Sequence, residues 1–145
     1  MRGDYNLKFD KCVNSESVIA LPSDSGIYIF YEATNVAAGK WTINELVYIG
    51  KSNDFHDRFQ DHETLDLARK EARKRGRTIL IAYARPHYAE PILERIEACL
   101  IFSICPKYNT SATESFNYDE TEVRIEGDCA KKLQPSYALS GHQKR

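Results

Sequence analysis

The chain has 145 residues, 42% hydrophobic and 28% charged, with a formal net charge of −1. That length suits one domain, is short for two, and allows a core without disulfides or metals to hold it. No run approaches the roughly 18 apolar residues of a membrane span, and Met1 to Lys8 has no apolar stretch, so neither a membrane segment nor a secretory signal is expected.

The cysteines are Cys12, Cys99, Cys105 and Cys129, and no two have zinc or redox spacing. Cys99 and Cys105 sit in an apolar run and read as small buried hydrophobes, so reduced thiols and a cytoplasmic location are expected. Charge is unevenly distributed. Arg69, Lys70, Arg73, Lys74, Arg75 and Arg77 face only Glu71 in their segment, whereas Glu114, Asp119, Glu120, Glu122, Glu126 and Asp128 face only Arg124. A near-neutral total thus hides a basic block and an acidic segment.

In chain order, residues 1–21 are mixed and signal little. Leu21 to Gly26 is turn-rich. Ile27 to Tyr31 predicts a strand, residues 32–44 a long hairpin loop around Asn35, Gly39 and Asn44, and Glu45 to Gly50 a second strand. Ser52 or Asn53 can cap a helix from Asp54 to about Glu63, followed by a basic segment that Gly76 stops after Arg75. Thr78 to Ala84 is strongly β-prone. Residues 90–105 form the clearest helix, with Pro91 in its first turn and Pro106 beyond its end. Thr110–Asn117 reads as loop, Glu122 to Glu126 as an edge strand, and Ser140 to Arg145 as a frayed end. There is no internal repeat and no second domain: residues 1–145 read as one domain with a motif core at about 22–111 and a C-terminal extension at 112–145.

Periodicity singles out polar residues among these elements. Phe55, Arg58, Phe59 and His62 recur at i, i+3, i+4 and i+7, placing Arg58 and His62 beside buried aromatics. Arg58 there either snorkels to solvent or serves a site, and His62 either makes a structural bond or takes part in chemistry. The helix at 90–105 is apolar nearly all round, yet Glu97 lies among Leu93, Leu100, Ile101 and Ile104. An ionised carboxylate in such surroundings costs several kcal/mol unless it is paired or binds a cation. Two readings stand: an ion pair, with Arg58 as the candidate partner, or a ligand for a hard cation. Tyr28 and Tyr48, on adjacent predicted strands, alternate onto faces that can coincide.

Together these residues resemble the GIY-YIG nuclease family. Gly26-Ile27-Tyr28 and Tyr48-Ile49-Gly50 match its two name-giving triplets, Arg58 and His62 its arginine and histidine on the next helix, Glu97 its later glutamate, and Pro106 and Asn109 its closing proline and asparagine. The ordered set spans residues 26–109; residues 1–20 and 112–145 lie outside it, and the stretch between the triplets, with Lys40 and Trp41, is longer than is usual in the family.

The resemblance implies a small α/β fold, a three-stranded sheet flanked by helices, and metal-dependent hydrolysis of DNA phosphodiester bonds. It assigns Glu97 to a single cation, Mg²⁺ or Mn²⁺, and Tyr28 to activation of water. A free tyrosine, with a pKa of about 10, is a poor base at neutral pH, so Arg58 or Lys51 would have to lower it. Arg58 would bind the scissile phosphate, Tyr48 and His62 would position water or relay a proton, and Asn109 would hold the site's geometry. Lys70, Lys74 and Arg77 recur at i, i+4 and i+7 beside Arg69 and Arg73, and with Lys51 they form the candidate DNA-binding surface. A catalytically silent DNA-binding module is the alternative. Specificity is expected from this domain, a protein partner or a homo-oligomer.

Overall fold

A computed structural model describes residues 1–145, the side chains of residues 18–20 excepted. Its elements in order are β1 (Gly3–Lys8), β2 (Lys11–Asn14), β3 (Gly26–Ala37), β4 (Lys40–Ser52), α1 (Phe55–Arg58), α2 (Glu63–Lys74), β5 (Thr78–Ala84), α3 (Glu90–Ile104), β6 (Ser115–Phe116), β7 (Thr121–Glu126), β8 (Ser136–Leu139) and β9 (Gln143–Lys144). The fold is mixed α/β. Its main sheet is antiparallel in the order β2-β5-β3-β4, so it has four strands rather than the expected three. Among the described residues no helix is long and apolar enough to cross a membrane.

Alternation along the central strands separates two cores. Ile27, Ile29, Tyr31 and Ala33 face α3, with Ile49 of β4 and Leu80, Ala82 and Ala84 of β5. Tyr28 and Phe30 face the other way, with Val47, Ile79 and Ile81, and are covered by Phe55 and Phe59 and by Leu65, Ala68 and Ala72 of α2. A second sheet, β1-β7-β8, closes the outer side of α3 with Leu7, Val123 and Ile125. This sandwich explains why α3 is apolar nearly all round: it has a sheet on either side. Arg95 fixes the arrangement, donating to Thr121 Oγ1 (2.9 Å) and to the carbonyls of Met1 (2.9 Å) and Glu120 (2.8 Å).

Several expectations change. Residues 32–44 are not a loop. β3 and β4 continue as a paired ribbon to a tight turn at Ala38 and Gly39, with register shifts along the way. Asn35 and Asn44, which looked like loop residues, bridge this ribbon: Asn35 Nδ2 donates to the Lys40 carbonyl (3.2 Å) and Thr34 Oγ1 to Asn44 Oδ1 (2.8 Å). The helix expected from Asp54 to Glu63 is one turn, capped by Asp54 rather than Ser52 or Asn53, and α2 starts afresh after His62. Thr110–Asn117 contains β6, which pairs with β9. Residues 122–126 are the centre of the second sheet rather than an edge, parallel to β1. The C-terminus is docked, since the Arg145 guanidinium lies 4.4 Å from the Phe102 ring centroid. Cys99 is buried as expected, but Cys105 is exposed, ending α3 in the left-handed conformation (φ 50°). Thr78–Ala84 and residues 90–104 fall where they were expected.

Candidate active site

The site forms along the outer edge of β4, where the α1–α2 side of the sheet meets the middle of α3. Tyr28 stands opposite Gly50 in the β3–β4 register. A Cβ at Gly50 would overlap the Tyr28 phenol, so only glycine lets that ring lie flat across β4. A Cβ at Gly26 would likewise strike the Ala84 carbonyl of β5. The two triplets are therefore a packing device that sets the buried Tyr28 phenol beside the half-buried Tyr48. The Tyr28 and Tyr48 ring centroids are 6.1 Å apart.

His62 does two jobs. Its Nδ1 accepts the Leu65 backbone N–H (3.1 Å), capping α2. Its Nε2 lies 2.8 Å from the Tyr28 hydroxyl. Burial first, then the nearby Arg58 charge, pulls the imidazole down to about 4, so the ring is neutral at pH 7. With Nδ1 used as an acceptor, the single ring proton is on Nε2 and is donated to Tyr28. His62 is thus a fixed donor rather than a proton relay, and the bond favours negative charge on the phenolic oxygen.

Tyr28 is 1% exposed. Burial pushes its phenol well above the usual tyrosine range; Tyr48 and Glu97 add to that, and Arg58 opposes it. Tyr48 is raised in the same way, by burial first and then by Glu97. Glu97 is half-buried, and burial raises its carboxyl, with Lys51 pulling it back and the Lys51 backbone N–H facing it. Among the described residues Glu97 has no ion pair, so the Arg58–Glu97 pair considered from sequence does not form. Arg58 also has none; its Nη1 reaches only the Asp61 carbonyl, at 3.4 Å. The structure therefore brings Tyr28, Tyr48, Arg58, His62 and Glu97 together and leaves a cation and a carboxylate without partners.

Asn109 clamps the edge strand. Its Nδ2 donates to the Ile49 carbonyl (2.9 Å) and its Oδ1 accepts the Ile49 N–H (3.0 Å), while the Tyr108 N–H bonds to the Val47 carbonyl (3.1 Å). It is a positioning residue, holding the strand that carries Tyr48, Gly50 and Lys51.

The basic block is largely matched internally. Arg69 donates to Ser15, Arg73 pairs with Glu16 (2.9 Å) and Lys74 with Glu71 (3.2 Å). Arg77 is not on the helix, because α2 ends at Lys74 and Gly76 turns the chain (φ 68°). Its guanidinium reaches inward to the fully buried Glu32 (3.0 Å), which Arg75 also grips at 2.7 Å. The stripe Lys70–Lys74–Arg77 does not exist as one helical face, and of the six candidate DNA contacts only Lys70 lacks an ion pair or a side-chain tie among the described residues. Lys51 is held by Glu90 (3.3 Å) and Glu94 (3.9 Å) of α3. The sequence signal for these two acids is the recurrence of Glu90, Glu94 and Glu97 at i, i+4 and i+7.

Comparison of the chain with protein-family models, with curated proteins and with solved structures finds no match in any of the three.

Proposed function

We propose that the chain is a metal-dependent endonuclease of the GIY-YIG type that hydrolyses DNA phosphodiester bonds. The observation that carries this reading is the convergence of an unpaired Arg58, an unpaired half-buried Glu97, the buried Tyr28 and the half-buried Tyr48 along one edge of β4. The order β3-β4-α1-α2-β5-α3 from Gly26 to Ile104, two strands then helices, a strand and a helix, supports it as well.

Glu97 fits a cation such as Mg²⁺ or Mn²⁺: its carboxyl is raised by burial and has no counter-charge in contact, the state a bound cation would relieve. Such an ion supplies charge neutralisation on the phosphate and acidifies bound water. The chain's own residues then divide the remaining work. Arg58 offers a planar fork for two phosphate oxygens. His62 donates to Tyr28, and with Arg58 it opposes the burial that keeps the Tyr28 phenol protonated. Tyr28 would accept a proton from the attacking water as the phenolate, its own proton having first left to solvent, with Tyr48 beside it to orient that water. Asn109 holds the strand on which this depends.

The second reading, a silent DNA-binding module, draws on a specific observation: Tyr28 is almost fully enclosed and its phenol is raised. The experiment that separates the two is incubation of a supercoiled plasmid and of matched linear, flapped and branched oligonucleotides with Mg²⁺ and with EDTA. The nuclease reading predicts Mg²⁺-dependent nicking or cutting with little sequence preference, because base readout needs several side chains placed together in the major groove. Intact DNA in every Mg²⁺ reaction would favour the silent module.

A further inference from the structure

Arg75 and Arg77 are taken up by the fully buried Glu32, and Arg73 and Lys74 by exposed pairs, which leaves room for other cations to add phosphate affinity. Lys11, Tyr83, Tyr28 and Gly50 are mutual register partners across β2, β5, β3 and β4, forming one straight row across the main sheet. Paired residues share a face, so Lys11 projects on the side of the sheet that carries Tyr28, two strand spacings or about 10 Å away. There Lys8, Lys11 and Arg85, with Tyr83, surround a concavity of about 210 Å³ in which Asp10 is the only acid. Lys11 has no ion pair among the described residues. Lys8 meets Asp10 only at 3.7 Å and Arg85 meets Asp24 only at 3.8 Å, pairs open to solvent and weak. The contrast with Arg75 and Arg77, gripped by a fully buried carboxylate, is plain. The concavity lies off the start of α1, where Phe55 packs on Tyr83 (5.4 Å between centroids), and Arg58 lies at the other end of that helix.

We propose that Lys8, Lys11 and Arg85 form a second phosphate-binding subsite, which holds the backbone of duplex DNA flanking the bond at Arg58. The inference rests on the nucleic-acid reading above and names where the substrate's flank lies. Phosphates recur every ~3.4 Å of axis along each strand, so a cationic cluster at the end of α1 opposite Arg58 suits phosphates some positions away from the bond itself. The subsite reads charge and shape, not bases.

The test is fluorescence anisotropy of labelled duplexes of increasing length in EDTA, which reports binding without cleavage. For wild type, affinity steps up once the duplex is long enough to cover both points. Lys11→Ala combined with Arg85→Ala loses that step, weakens long-duplex binding roughly tenfold, and lowers the slope of log affinity against log salt by up to about 0.9 per lost contact. Asp10→Asn moves affinity the other way. All three residues are exposed, so unchanged thermal midpoints verify that folding is intact. An unchanged slope and a retained length step in the double variant would overturn the subsite, as would a wild type that binds no duplex. Wild type that binds in this manner yet never cleaves with Mg²⁺ would sink the nuclease reading and leave the subsite standing.

Discussion

Tyr28 and Glu32 sit four residues apart on one strand, and both are closed off from water, yet their surroundings drive them in opposite directions. The Tyr28 phenol is pushed up by burial and has one fixed donor, His62 Nε2 at 2.8 Å. Tyr28→Phe removes one hydroxyl and almost no packing, so the fold should persist while cleavage at saturating DNA falls by roughly 10²–10⁴. An unchanged rate would make Tyr28 a core residue only. Glu32 is held below the ordinary carboxylate range, first by hydrogen bonds from Arg75, with Arg77 and Lys107 adding to them. A depressed carboxyl contributes stability above its unfolded pKa of about 4.3 and loses it as pH falls through the folded value. Glu32→Gln should cost about 3 kcal/mol at neutral pH, the low end for a buried pair because the cations keep about a third of their surface in water. The gap between the thermal midpoints of wild type and variant should narrow below about pH 4; a gap independent of pH would contradict this. Glu97 was legible in the sequence because a lone carboxylate interrupts an apolar helix. Glu32 was not, since its partners come from two distant segments, 75–77 and Lys107, and its own stretch looks polar.

At the scale of elements, what was legible is what local pattern determines. β5 and α3 carry their own boundaries in β-branched runs, Pro91 and Pro106. The β3–β4 ribbon was half legible: its outer half is built from threonines and asparagines whose side chains bond across the ribbon, which mimics loop composition. The break between α1 and α2 was hidden because the i, i+3, i+4, i+7 pattern of Phe55, Arg58, Phe59 and His62 survives it, although His62 sits as a cap rather than on a continuous helix. The outer edge of β4, clamped by Asn109, is where structure and site meet. Asn109→Ala would leave the Ile49 N–H and carbonyl without protein partners, costing about 1–2 kcal/mol. Because that edge positions Tyr48 and Lys51, cleavage at a temperature where the variant is fully folded should also fall at least severalfold. Stability lost with cleavage untouched would restrict Asn109 to a folding role.

For the whole molecule, the acidic C-terminal segment is a structural layer. Residues 112–145 supply β7 and β8, which complete a sheet with the N-terminal β1 over the outer side of α3. Neither end of the chain was legible as part of that sheet, because parallel pairing of β1 with β7 joins residues more than a hundred positions apart and leaves no local trace. Truncation after residue 111 should strand β1 and uncover the apolar side of α3. The shortened chain should then bind a hydrophobic dye, self-associate and lose a cooperative thermal transition; cooperative melting within a few degrees of the full chain would show that the layer is dispensable. In the proposed function, this layered scaffold holds Glu97 as the carboxylate on which DNA hydrolysis depends. The most direct test of that dependence is Glu97→Gln, assayed side by side with wild type for plasmid cleavage in Mg²⁺ and for duplex binding in EDTA. The account predicts loss of cleavage with folding intact and binding largely retained, and cleavage within about tenfold of wild type would contradict it.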